Sequence, residues 1–283
     1  MSDLSIRVMT RADLALVLGW AAGEGWNPGL TDSDSFYAAD PNGFFIGEID
    51  GKPVGSLSAV AYGDAFGFIG LYIVRPEFRG QGHGIALWRH GMAYLDRRNV
   101  GLDGVVAQQE NYKKSGFIPA YRNIRYEAPS IATARHDVKR GVIEPVGGLP
   151  FAQIEAYDRR FFPAPRRAFL ERWIAGTGSH ALALIRDGVL AGYGSIRPAR
   201  AGHKIGPLFA DDEQAAEILF HALARHVSVG PVILDVPETN RAAVAMAERH
   251  GMKQSFETAR MYTAGAPAID LGGIYGVTSF ELG

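Results

Sequence analysis

The stretch that decides the fold reads FGFIGLYIV (66–74), RPEF (75–78), RGQGHG (79–84) and IALWRHGMAYL (85–95). A run of β-branched and aromatic residues bounded by turn formers reads as a buried strand, while Ile85, Trp88, Met92 and Leu95 recur at helical spacing. The unit is therefore strand, glycine-rich loop, helix. Gly80, Gly82 and Gly84 carry no Cβ to hold an anion away from the main chain, and the loop delivers the free N–H groups of a helix start. Such a loop suits a phosphate, helped by the roughly half positive charge of a helix N-terminus.

Two common phosphate motifs do not describe it well. A dinucleotide fingerprint needs GxGxxG directly after the strand, whereas here the third position is Ile85 and residues 75–79 intervene, although Asp103 lies near the distance of a ribose-binding acid. A P-loop fails because no Lys-Ser or Lys-Thr follows the glycines. What Arg79, Gly80, Gln81, Gly82, His83 and Gly84 resemble is the Q/R-x-x-G-x-G/A pyrophosphate loop of the GNAT superfamily, the acetyl-CoA-dependent N-acetyltransferases. The context agrees: Val74, Pro76, Arg79 and Gly80 match a V-x-P-x-x-R-G segment, and Tyr112, Gly116 and Phe117 match a Tyr-x-x-x-Gly-Phe signature.

At 283 residues the chain exceeds the usual limit of one hydrophobic core, so two domains are expected. Its 47% hydrophobic and 21% charged residues are those of a soluble globular protein. A formal net charge of −1 gives no general attraction to nucleic acid or to an anionic membrane, so neither is expected as a partner. The absence of cysteine excludes disulfides, a thiol nucleophile and thiolate metal sites. It fits a cytoplasmic chain, as does an N-terminus without the basic and apolar regions of a signal peptide.

In order, residues 6–9 read as a strand, 11–22 as an amphipathic helix, 23–29 as a turn, and 44–48 with 54–61 as a hairpin about Asp50-Gly51. After the phosphate-loop unit, 100–105 reads as a strand, 108–115 as a short helix and 117–127 as a closing hairpin. Periodicity then lapses and Pro, Ser and Thr collect, the mark of a linker.

The second half repeats the first. Ile6 precedes Ile143 by 137 positions, Asp50-Gly51-x-x-x-Gly55 precedes Asp187-Gly188-x-x-x-Gly192 by 137, and Gly116-Phe117 precedes Gly251-Met252 by 135. The expected division is a catalytic domain at 1–130, a linker at 131–141 and a degenerate copy at 142–283. The copies differ where chemistry is expected. Asp211, Asp212 and Glu213 stand where the first copy has its arginine and glycines, and they would repel a pyrophosphate; Ala247 stands where the first copy has Tyr112. The chain also resembles tandem proteins in which an active GNAT domain precedes a YitH/HolE-type GNAT-like domain, on residues 102–105, 112–117, 121–123 and 275–281.

The resemblance implies an α/β (α+β) fold class: two tandem GNAT folds, each a mixed, mostly antiparallel twisted sheet flanked by helices. It implies acetyl-CoA as donor substrate, with the pantetheine arm held by main-chain groups about Ile73 and Val74 at a strand splay. Arg79 to Gly84 would hold the pyrophosphate, and Tyr112 would be the general acid. The acceptor would be the amine of a small molecule; peptide amines and a non-catalytic acyl-CoA sensor are the alternatives. No base stands out among Glu110, Asp64, Glu24 and His83. Trp26 and Asn27 sit where this fold walls its acceptor pocket, and residues 157–167, with Tyr157, Asp158, Phe161, Phe162, Arg166 and Arg167, are either core or cleft. The histidines show no metal-ligand spacing, so no metal is expected. The oligomeric state stays open.

Overall fold

Each half of the chain lays down the same run of elements. The first contributes β1 (Ser5–Val8), α1 (Arg11–Gly23), α2 (Asp32–Ala39), β2 (Phe44–Ile49), β3 (Lys52–Tyr62), β4 (Phe66–Val74), α3 (His83–Tyr94), β5 (Asn99–Val105), α4 (Gln109–Lys114) and β6 (Ile118–Ala128). The second contributes β7 (Val142–Pro145), α5 (Phe151–Asp158), α6 (Arg167–Ile174), β8 (His180–Arg186), β9 (Val189–Pro198), β10 (His203–Ala210), α7 (Glu213–Ala224), β11 (Val232–Pro237), α8 (Arg241–Arg249) and β12 (Lys253–Tyr262), then a short added strand, β13 (Ile274–Gly276). The structure, a computed structural model, describes residues 3–132 and 141–283, so most of the expected linker lies outside the described residues.

Local chemistry explains the shared run. Asp50 and Gly51 have φ of 49° and 72°, and Asp187 and Gly188 have 52° and 76°, so both Asp-Gly pairs supply the two left-handed residues of a primed hairpin turn. Thr10 and Asp13 close a capping box at the start of α1. The helix α2 has no counterpart in the sequence reading; it is short, and its N-cap Thr31 makes no side-chain cap bond.

Among the described residues thirteen strands form one sheet, in the order β1-β2-β3-β4-β5-β12-β6-β11-β10-β9-β8-β7, with β13 on β10. Pairing is antiparallel except for β4 with β5 and β10 with β11. The middle of that order carries an exchange. The closing strand of the first half, β6, pairs with β11, and the closing strand of the second half, β12, pairs with β5; the two then pair with each other. This corrects the expected hairpin over 117–127. That segment is a single strand because its partners on both edges come from the second half.

The exchange is locked by two equivalent ion pairs. Arg125 of β6 stands opposite Asp235 of β11 and donates Nε at 2.7 Å and Nη2 at 2.9 Å to its carboxylate. Arg260 of β12 stands opposite Asp103 of β5 and donates Nε at 2.9 Å and Nη2 at 2.5 Å. Both pairs are buried and bidentate, and each aspartate's partner belongs to the other half. Apolar packing follows the same seam: Phe36 of α2 stacks on Trp173 of α6 with centroids 6.2 Å apart, and Tyr62, Phe66 and Phe68 share one core with Phe162 and Phe169. Below them Arg197 of β9 is bonded to buried Asp32 of α2 at 2.7 Å.

Removing one member of a buried pair strands the other charge. Arg125→Ala is therefore expected to lower the unfolding free energy by about 3–5 kcal/mol in urea denaturation, and Asp235→Ala, which strands both Arg125 and the buried Lys204 3.5 Å away, to lower it at least as much. A loss below about 1 kcal/mol in Arg125→Ala would show that the pair does not hold the exchanged strand.

Candidate functional site

The strands β4 and β5 pair only from Phe66–Asn99 to Ile69–Leu102 and then part. At the parting point β4 bulges against β3: Ser58 faces Gly70, Ser56 faces Ile73, and Leu71 between them has a left-handed φ of 45°. The opening leads to the glycine loop. Gly80 and Gly82 have φ of 74° and 87°, a backbone that disfavours any side chain, and a Cβ at either would meet nothing within 4 Å. The space above the main chain at the start of α3 is thus clear of protein. Arg79 is held over the loop, donating Nε to the Val74 carbonyl at 2.7 Å and Nη2 to Glu24 at 2.6 Å.

Loop and opening belong to one cavity of about 730 Å³. It is lined by Ile73, Val74, Arg79, Gly80, Gly82 and Gly84, and also by Tyr72, Leu102, Gly104, Tyr112 and Trp26. Tyr112 reaches it because Gly104 of β5 has no side chain; a Cβ there would fall 2.2 Å from the Tyr112 ring. Trp88 holds both tyrosines, with centroids 5.6 Å from Tyr72 and 5.6 Å from Tyr112. Burial, and to a lesser degree the neighbouring Tyr72, push the Tyr112 phenol up to about 12. It therefore keeps its proton throughout the physiological range.

Of the residues nominated from sequence, Ile73, Val74, Arg79, Gly80, Gly82, Gly84, Tyr112 and Trp26 meet at this cavity, while Gln81, His83 and Asn27 are not among its lining. Gln81 donates back to the Glu77 carbonyl. His83 Nε2 is buried without a hydrogen-bond partner. Asn27 exchanges hydrogen bonds with the main chain of Ala201, tying the first half to the second. Of the candidate bases, Glu24 lines the cavity but is paired with Arg79; Glu110 is paired with Lys113 and Asp64 lies beside Arg98, both outside it. The aromatic and basic group about α5 is core apart from Arg167, which is exposed and paired with Glu171: Asp158 and Arg166 form a buried pair at 2.6 Å, and Phe162 packs edge-on against Tyr62.

The far wall comes from residues that sequence reasoning left out of the site. Phe256 of β12 and Phe280 and Glu281 of segment 263–283 line the cavity of the first half. Gly70 makes this approach feasible, since a Cβ on it would sit 2.0 Å from the Glu281 carbonyl oxygen. Glycine on a predicted strand signals close backbone approach, and that was the one clue available.

The same segment closes the equivalent opening in the second half. There β10 and β11 pair only from His203–Val232 to Ile205–Leu234, and β13 bonds to β10 at Leu208 and Phe209 where they part. At the head of α7 the three acids are all paired: Asp211 with Arg160 at 2.6 Å, Asp212 with Arg186 at 2.6 Å and Glu213 with Arg249 at 2.7 Å. Asp212 also caps α7 through the Ala215 N–H. Side chains and a strand thus fill the space that is open in the first half.

One cluster departs from the expectation that the histidines form no ligand set. Glu217 and His221 of α7 and His250 after α8 bring a carboxylate oxygen and two ring nitrogens within 4.8 Å of one another. Glu217 and His221 are one helical turn apart, a spacing visible in the sequence, but His250 joins them only through the packing of α8. Arg249 shares Glu217 at 3.1 Å, so protein cations already engage that carboxylate.

The sequence matches the model of the acetyltransferase (GNAT) family over residues 13–117 and that of an acetyltransferase (GNAT) domain over residues 154–276. A holothin acyltransferase from Pseudoalteromonas sp. (strain SANK 73390) is 32% identical over 269 residues, which is 95% of this chain and 90% of that protein. Among solved structures, one from Pyrococcus horikoshii superposes with a TM-score of 0.84 at 22% identity, covering 99% of this chain and 96% of its own. A tandem GNAT protein from the clavulanic acid biosynthesis pathway superposes at 0.67 and 16% identity, covering 93% and 99%. These two likenesses concern the fold.

The cradle is tested by moving the second half's feature into the first. Gly82→Asp puts at the head of α3 a carboxylate like those at the head of α7, and is expected to weaken CoA binding at least ~10-fold by calorimetry relative to Gly82→Ala, which carries the same left-handed backbone strain without the charge. Unchanged CoA affinity would mean that the phosphates lie elsewhere.

Proposed function

Because the chain belongs to the GNAT acyltransferase family, we propose that it transfers an acetyl group from acetyl-CoA to a primary amine of a small molecule, by direct attack, with Tyr112 supplying the proton for the leaving thiolate. The observation that carries this reading is the continuity of the cavity from the bare main chain at Gly80 and Gly82, through the splay of β4 and β5, to Tyr112. The family draws its donor from acyl-CoA. Acetyl, rather than a longer group, is the part of the proposal that the relative's name leaves open, since that protein is called an acyltransferase acting on holothin.

The residues divide the work. Arg79 and the N–H groups at the head of α3 would receive the pyrophosphate, and Ile73 and Val74 would align the pantetheine arm as an added strand in the opening. Trp26 would wall the acceptor side. A phenol near 12 donating to a thiolate near 8.5 is uphill by about 3.5 units, roughly 5 kcal/mol. The same apolar surroundings also disfavour the thiolate, so the gap within the cavity is smaller than in water. The second half supplies no cradle of its own in this scheme and acts through the wall it lends. A net charge of −1 favours neither nucleic acid nor an anionic surface as partner, in keeping with a cytoplasmic enzyme. No helix among the described residues is long and apolar enough to cross a membrane.

Tyr112→Phe is expected to lower kcat by about 10²-fold or more, with acetyl-CoA affinity kept within about threefold, measured as CoA release with an acceptor found by screening amines on the wild type. Because the phenol titrates near 12, its deprotonation should not depress wild-type turnover between about pH 7 and 10. Equal turnover in the variant would eliminate the acid role.

A further inference from the structure

A second group of converging side chains lies outside the cavity, between two helices of the second half. Glu217 and His221 stand one turn apart on α7, and His250 follows the last residue of α8. Glu217 Oε1 is their meeting point: His221 Nε2 lies 3.4 Å from it, and His250 Nε2 is in hydrogen-bond contact with it. The carboxylate oxygen and the two ring nitrogens all fall within 4.8 Å of one another. The His221 and His250 rings stand at 89° with centroids 4.8 Å apart, so they meet edge to face, and Phe220 backs His250 at 4.8 Å. Arg249 does not compete for the same atom. It bonds to Glu217 Oε2 at 3.1 Å and to Glu213 at 2.7 Å, which fixes the carboxylate and leaves Oε1 to the imidazoles. The three side chains are half-buried, with Glu217 29%, His221 14% and His250 13% accessible.

Two imidazoles and one carboxylate make a donor set for a borderline ion such as zinc, whereas magnesium and calcium prefer oxygen alone. Bonds of about 2.0–2.2 Å to a tetrahedral zinc set its ligand atoms about 3.4 Å apart, a spacing that His221 Nε2 and Glu217 Oε1 already have. We propose that Glu217, His221 and His250 form a zinc site, ligating through Oε1 and the two Nε2 atoms, with a water in the fourth position. The Arg249 guanidinium on Oε2 is then the outer partner that orients the carboxylate. The chain has no cysteine, so no thiolate site competes for the metal. Binding uses both Nε2 atoms as lone pairs: each ring keeps its proton on Nδ1, and an imidazolium gives its second proton up to solvent. The role is structural. None of the three residues is among the lining of the cavity, and the ion ties α8, which packs on β13, to α7, which packs on β9 and β10.

The test titrates the full chain, first stripped with EDTA, with zinc chloride by calorimetry. Zinc is expected to bind with a Kd below about 10 μM and to raise the melting temperature. His221→Ala and His250→Ala should each weaken binding at least ~10-fold. His226→Ala, which breaks the other histidine pair, the stacked His180 and His226, is the control and should hold its affinity within the same factor. A wild-type Kd above about 10 μM, or a smaller loss in either variant of the cluster, reduces it to a network of ion pairs and overturns the proposal. A larger loss in His226→Ala than in His250→Ala overturns it too, by placing the metal at the other pair. Where a variant of the cluster does not fold, the zinc X-ray absorption spectrum of His226→Ala decides: backscattering from two imidazoles upholds the site, and from one or none overturns it.

Discussion

The architecture depends on two buried arginine–aspartate pairs that sit opposite one another across strand seams. Arg125 with Asp235 and Arg260 with Asp103 are equivalent by the internal repeat, and each joins a strand of one half to a strand of the other. Such pairs add little net stability over well-packed apolar residues, but they tolerate no slip: a one-residue shift in register would leave charges buried without partners. They therefore specify the exchanged pairing of β6 and β12, and so a single continuous sheet.

From that continuity follows the division of labour in the cavity. The two halves start from the same splay, yet one opening lies empty of protein and the other is closed by β13. The strand that closes the second opening leads directly to the residues that wall the first, Phe280 and Glu281, with the Val277 N–H bonded to the Asp235 carbonyl on the way. One segment thus occupies the opening of its own half and walls the cavity of its neighbour. The acids at the head of α7 are consistent with this: each is matched by an arginine, so they form a satisfied surface in place of an anion site.

Much of this was legible in the residues. The strand–loop–helix unit, the duplicated Asp-Gly turns and Tyr112 are local signals, carried by glycine placement and short spacings that chain geometry converts directly into structure. The exchange was not legible, because an alternating strand such as 118–128 looks the same whichever half supplies its neighbours. Asp103 illustrates the limit: its distance from the glycines is near that of a ribose-binding acid in a motif the loop otherwise fails to match, and nothing local shows that it is the partner of Arg260, more than a hundred residues away. Glu281 was missed for the same reason, since nothing near it in sequence marks it as belonging to a site built from residues 69–112.

The pairing of β6 and β12 bears on the history open to such a chain. Tandem copies joined only by a tether are free to be shuffled, lost or traded singly. Here a gene fragment encoding either copy would specify a sheet with a bare edge at β5 or β11 and a closing strand without its seat. Each copy thus draws on the other to complete its sheet, which gives the second copy a structural reason to persist that owes nothing to any ligand of its own.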